Sequence, residues 1–117
     1  MTGNFTIGTS GAITAQTGAA QSGFTVTQDT TSSAVGRYLV TFYKNFQAIK
    51  YKGVSMTGPA AGTAFPTTTG IDPQFRDYSG TTASTLAASV QLTRSDTKAD
   101  ADAASGTRVH LLFVMQN

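Results

Sequence analysis

The residues able to do chemistry are few. The chain has one His, no Cys, no Glu and six Asp. His110 lies in the apolar run that closes the sequence, on the alternate face shared with Leu112 and Val114. A general base needs a nucleophile or an orienting carboxylate beside it, and no neighbour in sequence supplies one; His110 reads as a strand residue bonded to backbone or to a partner. Asp96, Asp100 and Asp102 form the only acidic cluster. A calcium loop requires tighter spacing, a Gly at its turn and a final bidentate Glu; Lys98 in the middle would repel a cation. Gly58-Pro59-Ala60-Ala61-Gly62 lacks the Lys and the following helix of a phosphate cradle. No catalytic, metal or cofactor site is expected, and the chain is read as a non-enzyme.

Basic and aromatic side chains offer a second kind of chemistry. Arg37, Lys44, Lys50 and Lys52, with Tyr43 and Tyr51 nearby, suit either nucleic-acid stacking or docking on an acidic protein surface. Lys on a strand also protects a sheet edge without any ligand. Eight Lys and Arg against six Asp give a net charge of +2, well short of the clustered basic footprint of a nucleic-acid binder. Protein docking and edge protection are therefore preferred, and no nucleic-acid partner is expected.

These residues must be carried by strands. Only 12% of the chain is charged, about half the usual fraction. Thr replaces the Glu and Lys that cover helix surfaces, and its branched Cβ suits a pleated sheet. Apolar runs alternate with Gly, Ser, Thr and Asn clusters throughout, the pattern of an all-β sandwich. With 117 residues there is room for one domain and one core. The absence of Cys excludes disulfides and a thiolate zinc site. No apolar run is long enough to span a bilayer and no signal peptide is visible, so a soluble chain made in the cytoplasm, with no membrane partner, is expected.

Residues 1–20 are read as an N-terminal arm or edge strands, and residues 21–117 as the sandwich, with about eight mainly antiparallel strands in all. Phe24 and Val26 share one face, as do Tyr38, Val40 and Phe42. Lys44-Asn45 is expected to turn a hairpin into the next strand, residues 46–56, where the apolar phase switches at Gly53 as at a β-bulge. Residues 57–70 read as a long loop. Two strands follow, at residues 74–78 and 87–93. Residues 95–106 form either a short helix or a loop. Arg108 to Gln116 has Val109, Leu111, Phe113 and Met115 on one face and Leu112 and Val114 on the other. A strand apolar on both faces is expected to be buried on both, under a layer from this chain or a neighbouring copy.

Val35-Gly36-Arg37-Tyr38-Leu39-Val40-Thr41-Phe42 resembles the Gly-x-Tyr-x-Val-x-Phe strand of small tailed-bacteriophage virion proteins. Arg108-Val109-His110-Leu111-Leu112-Phe113-Val114-Met115-Gln116-Asn117 resembles their closing strand, and the Ala/Asp-rich stretch before it is similar as well. The resemblance covers about two-thirds of the chain, in strand patterns and not in catalytic signatures. Several such proteins are thought to be capsid decoration, or cement, proteins. The resemblance implies a β-sandwich or jelly-roll-like module, usually a homotrimer, seated on the outer capsid surface of the virion with the major capsid protein as partner. Expected protein-interface residues are Phe5 and Ile7 in the arm, Arg37, Lys50 and Lys52 in the basic stripe, and Phe65 and Phe75 in or near loops. A tail or head-fibre module of the same architecture is an alternative. Another is a carbohydrate- or cell-surface-binding sandwich, with Phe65, Phe75 and Tyr78 as stacking faces.

Overall fold

The computed structural model describes residues 1–30, 35–44, 46–58, 70–76 and 87–116. Eight strands form two four-stranded antiparallel sheets: β1 (Thr2–Ile7), β2 (Ile13–Gln16), β3 (Phe24–Gln28), β4 (Arg37–Phe42), β5 (Ala48–Thr57), β6 (Ile71–Arg76), β7 (Ala87–Arg94) and β8 (Arg108–Gln116). Sheet A has the order β2-β1-β8-β5, and sheet B the order β3-β4-β7-β6. The expected all-β sandwich is the observed architecture. Strand β4 lies beside β7, and β8 beside β5. The chain therefore crosses between the sheets four times, after β2, β4, β5 and β7.

The core lies between the sheets, where period-two alternation sends one residue in two. Phe24 and Val26, Tyr38, Val40 and Phe42, Val90 and Leu92, and Val109, Leu111 and Phe113 are all buried there. Phe113 is the aromatic hub: the rings of Phe24, Phe42 and Phe75 lie at 5.2, 5.0 and 5.7 Å between centroids. Such pairs each add about 0.5–1.5 kcal/mol beyond burial, and these three tie a sheet A strand to sheet B.

Residues 1–20, expected as an arm or edge strands, belong to sheet A. Strand β2 is an edge, but β1 lies inside the sheet between β2 and β8. At the β2/β3 corner the Gln16 side-chain amide imitates a strand partner, accepting from the Val26 N–H and donating to the Val26 carbonyl, both at 2.9 Å.

Two local expectations need correction. Strands β4 and β5 are not a hairpin, because β3 and β7 occupy both edges of β4; the chain instead crosses the core, with Phe46 packed edge-on to Phe42. The β5 bulge falls between Ile49 and Tyr51, not at Gly53. It puts Ile49, Val54 and Met56 on the inner side and turns Tyr51 outward. Of the two readings of residues 95–106, helix or loop, the loop is the one observed, and residues 99–101 within it extend sheet B, with Thr93 bridged to Asp100. The expected long loop lies mainly outside the described residues, as does the 77–86 connection.

Candidate functional site

The outer faces of the two sheets differ in chemistry. On sheet B, Asp72, Gln74 and Arg76 of β6 stand opposite Thr93, Gln91 and Ser89 of β7. Arg76 pairs with Asp100 at 3.8 Å and Lys98 with Asp72 at 3.9 Å, both across β7. Beneath these ion pairs Gln91 is fully buried. Its amide donates to the carbonyls of Val35 (2.8 Å) and Leu92 (2.9 Å) and accepts from Arg37 Nε (2.9 Å). Over β6 and β7 this face is covered by the chain's own polar groups, while Thr25, Thr27 and Thr41 on β3 and β4 are exposed.

Sheet A is built from strands that contain no acidic residue at all. Its outer face follows from β8, whose odd-numbered residues fill the core and whose even-numbered residues point away from it. Leu112 is 39% exposed and Val114 is 49% exposed. Tyr51, 57% exposed, is the cross-strand partner of Val114. Gly53, the partner of Leu112, leaves room for the Tyr51 ring: a Cβ at Gly53 would lie 3.4 Å from it. Tyr51 is thus laid along its own strand, beside the two aliphatic residues. Three of the five large exposed apolar side chains among the described residues form this patch. Lys50 borders it at the bulge of β5, and Arg108 lies at the far end of β8. An open groove of about 720 Å³ continues over β8 between β1 and β5, lined by Asn4, Gly53, Ser55, His110 and Leu112 among others.

Of the two covers expected for the closing strand's outer face, a layer from this chain is not found among the described residues. The strand's inner face is buried, whereas no described residue covers Leu112 and Val114. The interface residues expected from sequence also scatter. Phe5 and Ile7 are wholly buried in the core, because β1 is an interior strand, and offer no side-chain surface to a partner. Arg37 lies on sheet B, bonded to Gln91. Lys50 is exposed at the bulge of β5. Lys52 holds its ammonium 5.2 Å from the centre of the Phe75 ring, and Phe75 itself packs on Phe113. Phe65 and Tyr78 lie outside the described residues. The basic stripe is split between the two sheets, with Arg37 on one and Lys50 and Lys52 on the other. Tyr51 is the exposed aromatic residue that sequence reasoning had not placed on this surface, and the bulge is what turns it outward.

The remaining chemical candidates have structural partners. His110 Nε2 lies 3.1 Å from Thr57 Oγ1 on sheet A's outer face. The Arg94 guanidinium holds the Asp96 carboxyl below the usual carboxylate range through a two-pronged pair at 3.0 and 2.9 Å. The Tyr38 hydroxyl donates to the Gly11 carbonyl at 2.7 Å. Burial, with a smaller contribution from the Asp102 charge, pushes its pKa well above the ordinary value of 10.0. Among the described residues no group of three or more His, Asp or Glu could hold a metal ion. No family model matches the chain, nor does any curated protein or solved structure compared with it.

Proposed function

We propose that the chain is a structural protein of a tailed-phage particle: a decoration, or cement, protein that binds the outer capsid lattice as an oligomer and stabilises the shell. The observation that carries this reading is the contrast between the outer faces. One is covered over β6 and β7 by internal ion pairs and hydrogen bonds, and the other exposes Tyr51, Leu112 and Val114 on an acid-free sheet. A contiguous apolar patch on a soluble-type fold marks a surface made for another macromolecule. A protein that binds the assembled shell and not its dispersed subunits stabilises the shell by mass action. A trimer engaging several capsomers adds the gain of multivalency. The resemblance of residues 35–42 and 108–117 to small virion proteins points the same way.

The test is sedimentation with shells assembled from the major capsid protein of the particle that encodes this chain. Co-sedimentation with shells, no binding to dispersed capsid subunits and a raised shell melting temperature are expected. Failure to bind shells, or equal binding to subunits, would remove the reading. The carbohydrate-binding alternative draws on Tyr51 beside a groove lined by Asn4, Ser55 and His110; glycan binding by a monomer that ignores shells would favour it.

A further inference from the structure

Resting on the shell-binding reading, we propose that the outer face of sheet A is the surface that seats on the shell, with sheet B turned to solvent. Its counterpart is a protein patch that is apolar at the centre and acidic at the margins.

Charge fixes the chemistry of that counterpart. The strands of sheet A carry no acid. Of their cations, Arg108 lies on the outer row of β8 and Lys50 at the exposed bulge of β5, while Lys52, the partner of Phe113, turns to the inner side against Phe75. The described acids Asp29, Asp72, Asp96, Asp100 and Asp102 all lie elsewhere. Lys50 and Arg108 stand at opposite ends of β8, with Tyr51, Leu112 and Val114 between Lys50 and the middle of the strand. An interface with a desolvated apolar centre and a charged rim has this layout, and complementary rim charges steer and orient the encounter. A second copy would bring the same cations and no acids to the same face, so this patch does not complement itself. Sheet B offers the opposite case, since its cations Arg76 and Lys98 are already matched to Asp100 and Asp72.

Area fixes the strength. Four strands of 4 to 10 residues, at about 3.4 Å per residue and about 4.8 Å apart, present roughly 500 Å². Docking would remove about 1,000 Å² in total, the lower edge of a specific interface. One copy therefore binds weakly, and an oligomer that seats several such faces at once binds firmly.

The experiment measures shell binding by sedimentation for the full chain and its variants, with circular dichroism confirming the fold. Leu112→Glu and Val114→Glu are expected to weaken binding at least tenfold. Val114→Thr, which keeps a strand-forming residue, should weaken it severalfold and guards against misfolding of the acidic variants. Lys50→Glu with Arg108→Glu should weaken binding and flatten its salt dependence. Thr27→Glu with Thr41→Glu, on the exposed face of sheet B, should bind as the parent does. If the parent binds shells and the sheet A variants bind equally well, the inference is overturned while the shell-binding reading stands. If the sheet A variants instead dissociate the free oligomer and leave shell binding per protomer intact, the face belongs to a second copy and the inference is again overturned. A parent chain that ignores shells sinks the underlying reading first.

Discussion

Strands β7 and β8 hold equivalent places, each inside its sheet with a core-facing row of aliphatic residues, yet their outward rows invert the usual order of burial. On β7 the outward residues are Ser89, Gln91 and Thr93, polar and all buried. On β8 they include Leu112 and Val114, apolar and substantially exposed. A buried amide is tolerable only when its hydrogen bonds are made, and Gln91 makes three. An exposed aliphatic pair on a sheet face gains from burial only when something arrives to cover it. Among the described residues, sheet B thus covers its outward row on β7 with the chain's own polar groups, and sheet A covers only its inner row on β8.

Substitutions that break the closure of sheet B should cost the most stability. Gly36 has φ 71°, and a side chain there would run into the Ala101 carbonyl of the 99–101 extension. Gly36→Val should destabilise by about 3 kcal/mol or more, visible as a large fall in the urea midpoint. Gln91→Ala removes three hydrogen bonds and leaves a void and an orphaned Val35 carbonyl; a loss of about 2–3 kcal/mol is expected by the same measurement. Either variant behaving like the parent would show that the sheet B closure does not hold the fold.

Tyr38 supplies a smaller, pH-dependent term on the core side of sheet B. Its folded-state pKa is raised, so its contribution is complete below the ordinary tyrosine value of 10.0 and is lost as pH rises above it. Between about pH 8 and pH 11 the parent should lose more stability than Tyr38→Phe does, while at pH 8 that variant should be about 1 kcal/mol weaker. Equal alkaline slopes for the two would exclude Tyr38 as the source. The smallest effect belongs to sheet A. Leu112→Thr and Val114→Thr should each change stability by no more than about 0.5 kcal/mol, in contrast to the core residue between them, Phe113. A large loss in thermal denaturation would mean that this face supports the fold itself.

Much of the fold was legible. The alternation of Phe24 with Val26, of Tyr38 with Val40 and Phe42, and of Val109 with Leu111 and Phe113 specified strands and their inner faces, because side-chain period and burial are local consequences of an extended backbone. The bulge was legible as a phase switch but was assigned at Gly53, since a Gly is the visible irregularity in the sequence; the actual displacement is opposite Met115 and Val114, where the ladder with β8 decides it. The interface residues were the least legible. Phe5 and Ile7 look like parts of a loose arm until β8 is seen beside β1, and Lys44-Asn45 looks like a hairpin turn until both edges of β4 are found occupied.

Composition and alternation alone make this protein an acid-poor, Cys-free β-sandwich whose closing strand is apolar on both sides. Which of those sides the described chain leaves uncovered follows from how the two sheets pack. Alternation fixes that the two rows of β8 point in opposite directions, but burial depends on which sheet each row meets, and that is set by strand pairings between residues more than a hundred positions apart. Phe113 meets the rings of sheet B; Leu112 and Val114, on the opposite face of the same strand, have only their in-sheet neighbours such as Tyr51 beside them and no described residue above them.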